Sequence, residues 1–174
     1  ILRSLKITGL VEAEVAVKVT DLLKLRPPLT LGIYARPGEV ELKIMAKSKN
    51  RTTAARMVQH LEKKIRGRLG NKIFGVDFET LSSVIGELLK KKRKTLSVAE
   101  SCTGGLVSNL ITETSGSSNY YLGGIIAYSN RVKTKDKVIF SRQLSTLINA
   151  GLPLVQSLRT VNQQSTSKPL KVVI

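Results

Sequence analysis

Aromatic residues, acids, cysteine and histidine are all scarce in this chain of 174 residues. Only 4% of it is aromatic and none is tryptophan, so a core must be aliphatic, and 41% hydrophobic residues can supply one. The same scarcity argues against a base-stacking groove for single-stranded nucleic acid. The single cysteine, Cys102, excludes an internal disulfide framework and fits a reducing, cytoplasmic compartment. The single histidine, His60, has no partner in view, so a Ser-His-Asp triad has no support and His60 reads as an ordinary, partly exposed residue. No metal or cofactor is called for. No apolar run reaches the roughly 18 residues needed to span a bilayer. Ile1-Leu2-Arg3-Ser4-Leu5-Lys6 lacks the basic-then-apolar order of a signal peptide. The chain opens without methionine, in mid-strand by pattern, and reads as a piece of something longer.

With 12 acids against 29 lysines and arginines, the formal net charge is +17. Such a charge attracts nucleic acid, anionic membrane or phosphorylated small molecules. Its densest run, Lys90-Lys91-Lys92-Arg93-Lys94, reads as a solvated helix end, where cations complement the helix dipole.

Periodicity organises the first part of the chain. Residues 2–8 read as a strand. Residues 12–24 carry Val15, Val19, Leu22 and Leu23 near helical spacing. Residues 29–35 read as a strand and Arg36-Pro37-Gly38-Glu39 as a turn. Residues 40–46 alternate Val40, Leu42, Ile44 and Ala46 against Glu41, Lys43 and Met45, which predicts a half-buried strand. Residues 51–69 are the clearest helix, with Ala54, Val58, Leu61 and Ile65 on one stripe. Gly67-Arg68-Leu69-Gly70 has the spacing of a phosphate-clamping loop but sits before a strand, so it reads as a helix end. After a short strand at 73–75, Asp77 is expected to cap a helix that buries Phe78, Leu81, Ile85 and Leu88.

The stretch richest in chemistry runs from Thr95 to Ile111. It opens with a strand signal and closes with Leu106, Val107, Leu110 and Ile111 at helical spacing. Between them Glu100-Ser101-Cys102-Thr103-Gly104-Gly105 forms a small-residue turn into a helix N-terminus. Such a turn can leave backbone N–H groups for an anion or oxyanion, and Ser101 at its mouth could serve as a nucleophile. Pattern alone favours a tight strand-to-helix connection with no chemistry.

Ala99-Glu100-Ser101-Cys102-Thr103-Gly104-Gly105, then Gly116-Ser117-Ser118, then Tyr121-Leu122-Gly123-Gly124-Ile125-Ile126-Ala127-Tyr128-Ser129-Asn130, closely resemble the CinA C-terminal domain family. That family comprises nicotinamide mononucleotide deamidases and the competence/damage-inducible proteins that carry them. Residues 33–40 and 69–75 look like the KH-like linking domain that precedes the deamidase domain in CinA proteins, and the two resemblances are collinear. The larger domain that precedes both in that family, similar to molybdopterin-binding proteins, is not in this sequence. Its pyrophosphatase activity and metal site are therefore not carried over.

The resemblance implies a serine-lysine pair: Ser101 as nucleophile, Lys133 as base and Tyr128 as helper. The N–H groups near Thr103, Gly104 and Gly105 would line the oxyanion or phosphate site, and Ser129 and Asn130 would bind substrate. Cys102 is expected to be a small buried spacer. After Lys133 the likeness to the deamidases is expected to end, because the leucine-glycine turn and later motifs of that family do not follow. Instead residues 132–158 resemble the start of the cytoplasmic domain of type II secretion F and type IV pilus assembly platform proteins. There Ile139, Leu144, Leu147 and Ile148 share one helical face, Gly151-Leu152-Pro153 breaks the helix, and Leu154, Val155, Leu158 and Val161 begin another.

The expectation is an α/β chain in three parts: a KH-like α+β domain at 1–75, the beginning of a deamidase domain at 76–133 and a helical tail at 134–174. A truncated domain would keep exposed strand edges and an incomplete pocket unless the tail or a second copy, as in a homodimer, covered them. The function implied is hydrolysis of the amide of a small-molecule nucleotide, nicotinamide mononucleotide. The alternatives are a non-enzymatic basic module that contacts nucleic acid, and a fusion fragment of a secretion or pilus platform.

Overall fold

A computed structural model describes residues 1–128 and 132–172. The chain is mixed α/β and divides into two compact units, Ile1–Val84 and Ile85–Ile174.

In the first unit, strands β1 (Leu2–Ile7), β2 (Leu29–Arg36), β3 (Glu39–Ala46) and β4 (Ile73–Val76) form one antiparallel sheet in the order β2-β3-β1-β4. Helices α1 (Glu12–Lys18), α2 (Thr20–Leu23) and α3 (Arg51–Leu69) supply the other side of the core. The alternation in β3 holds: Val40, Leu42, Ile44 and Ala46 are buried, as is the α3 stripe of Ala54, Val58, Leu61 and Ile65. Asn50 starts α3 by accepting the N–H groups of Thr52 and Thr53 on its side-chain oxygen. Gly70 ends it at φ +54°, so Gly67-Arg68-Leu69-Gly70 belongs to the helix and its end. The helix expected over 12–24 is two short helices, broken at Val19.

The expectation for the following helix is corrected. Asp77 does not cap it. Its carboxylate accepts the Arg3 guanidinium and the Ser4 N–H, tying the end of β4 to β1. Helix α4 (Leu81–Lys92) instead opens at Thr80, whose hydroxyl accepts the Ser83 N–H while the Ser83 hydroxyl accepts the Thr80 N–H. Phe78 is 99% exposed, and Leu81, Ile85 and Leu88 are exposed too. The one buried residue of α4 is Gly86. A Cβ there would stand 2.5 Å from the Tyr120 hydroxyl oxygen, so glycine lets the buried Tyr120 ring pack on the helix backbone.

In the second unit, β5 (Leu96–Glu100) and β6 (Tyr121–Ile126) form a two-stranded parallel sheet. Helix α5 (Leu106–Thr112) connects them, as a parallel pair requires a crossover. Helices α6 (Thr134–Asn149) and α7 (Leu154–Gln164) and the short α8 (Lys168–Lys171) follow. Helix α6 packs on β5, and Phe140, Leu144, Val161 and Leu170 join Ala127 and Val132 in the second core. The tail is thus helical as expected, with a turn at Gly151 (φ +88°) and α7 starting after Pro153. On α6 the buried face differs from expectation, with Phe140 buried and Ile139 exposed; α7 begins with Leu154 and Val155 as expected, both exposed. No helix among the described residues is long and apolar enough to cross a membrane.

These burials predict contrasting costs. Leu61→Ala should lower stability to urea by about 3 kcal/mol, whereas Leu88→Ser should change it by less than about 0.5 kcal/mol. A large loss for Leu88→Ser would show that the α4 stripe is covered in solution.

Candidate active site

Parallel strands deliver their carboxyl ends to one edge of a sheet, the place where α/β proteins bind ligands. Here the register sets Glu100 opposite Ile126, and the Ala127 N–H donates to the Glu100 carbonyl at 2.7 Å. Ser101 and Tyr128, 27 positions apart in sequence, therefore leave the sheet at the same end. Ser101 is half-buried and Tyr128 is 75% exposed.

The turn after Ser101 is closed by its own backbone. The Gly104 N–H donates to the Ser101 carbonyl and the Leu106 N–H to that of Thr103, both at 3.0 Å. Gly104 and Gly105 have φ of +58° and +101°, values that side chains rarely adopt. At Gly105 a Cβ would also meet Ile126 Cδ1 at 2.8 Å.

What holds this turn is the carboxylate that precedes it. Glu100 is 4% exposed, and both of its oxygens are used twice. Oε2 accepts the N–H groups of Gly105 and Val107, each at 3.0 Å. Oε1 accepts the Ser108 N–H at 2.9 Å and the Ser108 hydroxyl. The Tyr121 hydroxyl in turn donates to the Ser108 hydroxyl oxygen at 2.8 Å. Burial alone would raise the carboxyl pKa. The Ser108 hydroxyl and N–H, the Thr103 hydroxyl and the Val107 N–H outweigh burial and hold it at about 2. The residue at the start of α5 is Gly105, which has no side chain to cap with, so Glu100 performs that service from five positions earlier.

This changes the reading of the loop. The N–H groups of Gly104 and Gly105 were expected to face an anion, but both already serve the protein. An internal carboxylate occupies the N-terminus of α5. Cys102 was expected to be buried and is exposed, because it lies in the turn that Ser101 and Gly104 close. Thr103 and Gly104 are exposed and Gly105 half-buried.

Lys133 is exposed at the start of α6, and its carbonyl accepts the N–H groups of Asp136 and Lys137. Beside it Val132 is buried in the second core, which anchors the start of that helix. Among the described residues no hydrogen bond joins Ser101, Tyr128 and Lys133. Ser129 and Asn130 lie outside the described residues. Nor do three His, Cys, Asp or Glu side chains converge as metal ligands among the described residues.

Glu100 and its partners Ser108 and Tyr121 are the site residues that sequence reasoning missed. The signal was a helix start without a capping side chain, preceded by one acid at a strand end.

Two family models match the chain. One, the Damage-inducible protein CinA KH domain, covers residues 2–75; the other, the CinA C-terminal domain, covers residues 78–147. The second match runs past Lys133, where the likeness was expected to end, into α6. A CinA-like protein of Nostoc punctiforme is 47% identical over 133 residues, 76% of this chain and 32% of that protein. A putative competence-damage inducible protein of Moorella thermoacetica is 48% identical over 133 residues, again 76% and 32%. One of the same description from Caldicellulosiruptor saccharolyticus is 41% identical over 134 residues, 77% and 33%. The chain spans about a third of the length of the curated relatives it matches. Nothing in these matches supports the likeness of the tail to secretion and pilus platform proteins.

The clamp predicts a pH dependence. A carboxyl that ionises more readily folded than unfolded contributes stability fully above about pH 5 and loses that contribution as pH falls toward 2. Glu100→Gln places an amide where the carboxylate faced N–H groups, and should cost about 3 kcal/mol at pH 7. Melting temperatures of the two proteins should then draw steadily closer as pH falls from about 5 toward 2. Parallel melting curves across that range would contradict the clamp.

Proposed function

The chain belongs to the CinA family, and on that footing we propose that it carries the reacting groups of an amidohydrolase acting on nicotinamide mononucleotide. Ser101 Oγ attacks the carboxamide carbon. Lys133, which must be unprotonated for this role, takes the hydroxyl proton, and Tyr128 assists that transfer. The tetrahedral oxyanion collapses, and ammonia leaves carrying a proton from the base. Water then hydrolyses the serine ester, which frees the nucleotide acid and restores Ser101. No metal or cofactor enters these steps.

One observation supports this reading above the others. A buried, fully hydrogen-bonded carboxylate fixes the turn that presents Ser101 at the carboxyl end of a parallel strand pair, the same end from which Tyr128 leaves. The same bonds cap α5, and they also give Ser101 the rigid support that a reacting group requires. The oxyanion donors, in this reading, are not the N–H groups of Gly104 and Gly105, which Ser101 and Glu100 already engage. In this reading Lys133 reaches Ser101 when substrate is bound. A second copy is proposed to complete the pocket, because Leu106, Val107 and Leu110 of α5 stand exposed beside the turn.

Ammonia release from nicotinamide mononucleotide by the purified chain tests the proposal. Ser101→Ala should abolish it and Lys133→Ala should reduce it by about 100-fold or more. Release that survives Ser101→Ala, or no release from a folded chain, would overturn the reading.

A further inference from the structure

The C-terminus of α4 carries a second feature that the proposed reaction leaves unused. The helix ends in a Schellman closure: the Lys94 N–H donates to the Leu89 carbonyl at 2.9 Å and the Arg93 N–H to the Lys90 carbonyl at 3.0 Å. The residue at the left-handed position of such a closure is usually glycine, because a Cβ is strained there. Here it is Arg93, at φ +52°. The fold would be at least as well served by glycine, so the side chain itself is the reason to ask what Arg93 does.

Arg93 lines an open recess of about 460 Å³ with Lys90, Lys94, Thr95, Leu89 and Asn119. No acid lines it. Lys90 is half-buried, pairs with Glu87 at 3.0 Å and stands 5.8 Å from the Tyr120 ring centroid. Arg93, Lys94 and Asn119 are exposed, and among the described residues neither Arg93 nor Lys94 makes an ion pair. Three cations stand against Glu87 and the roughly half negative charge of a helix end, which leaves about +1.5 facing solvent. Dipole complementation needs no more than a lysine or two. It does not call for a strained arginine.

We propose that this recess binds a phosphate group, with Arg93 offering its planar fork to two oxygens, Lys94 a point charge and Asn119 an amide donor. Its place separates it from the candidate active site. Thr95 enters β5 at one end and Ser101 leaves at the other, about 20 Å away along an extended strand. The proposal is therefore independent of the deamidase reading.

The phosphate could belong to a free anion or to a nucleic-acid backbone, so binding is measured in two arms, by titration calorimetry with inorganic pyrophosphate and by fluorescence anisotropy with a labelled single-stranded oligothymidylate. Four proteins are compared: wild type, Arg93→Gly, Lys94→Ala and, as a control of equal charge change, Lys64→Ala on the exposed face of α3. Arg93→Gly is the decisive variant, because it should keep or raise the melting temperature while weakening binding about tenfold. Lys94→Ala should weaken binding severalfold and Lys64→Ala less than twofold. Binding of pyrophosphate lost in Arg93→Gly assigns a site for a free phosphate, and a loss seen only with the oligonucleotide assigns it to a backbone. No binding in either arm, or equal weakening by Arg93→Gly and Lys64→Ala, overturns the proposal, since the attraction would then be the general charge of the chain. A fall in melting temperature with Arg93→Gly would show that Arg93 is structural and overturns it equally.

Discussion

Everything at the candidate site depends on one buried negative charge. A carboxylate with little access to water is costly unless its oxygens are satisfied, and Glu100 meets that cost with three backbone N–H groups and a serine hydroxyl. The same bonds solve another problem. Helix α5 starts at a glycine that offers no cap, so its first N–H groups would otherwise point at nothing. One interaction thus sets the exit of β5, the path of the turn and the start of α5. Ser108, held also by Tyr121 from β6, joins that arrangement to the second strand.

Around this point the second unit is narrow. Two parallel strands make a small sheet, and parallel sheets are stable when both faces are covered. Helix α6 covers β5 with Phe140 and Leu144, and α7 and α8 complete that core through Val161 and Leu170. The residues after Lys133 are thus part of the support for the strands, in keeping with the match to the CinA C-terminal domain through residue 147. On the other side α5 leaves Leu106, Val107 and Leu110 exposed, an apolar face without cover among the described residues.

How much of this was legible in the sequence depended on whether a signal was local. Alternation in β3 and the stripe of α3 identified buried residues correctly, because a strand or long helix with one apolar face must turn it inward. The same logic failed at α4. Periodicity shows which side of a helix is apolar, not whether anything lies against that side, and Phe78, Leu81, Ile85 and Leu88 meet solvent. Ile139 and Phe140 differ by one position, and only packing against β5 decides which goes in. At the site, the motif located the turn and its glycines. It gave no hint that Glu100 would fold back on the helix N–H groups, because that bond is a matter of geometry over five to eight positions.

The most direct test of this account is the titration of the Glu100 side-chain carbon, followed by nuclear magnetic resonance in the folded chain. A midpoint at about 2 would show the carboxylate held by the N–H groups of α5, with the Ser101 turn fixed in front of it. A midpoint near the ordinary glutamate value of about 4.3 would mean that those bonds are not made in solution, and that Ser101 sits on a loop without support.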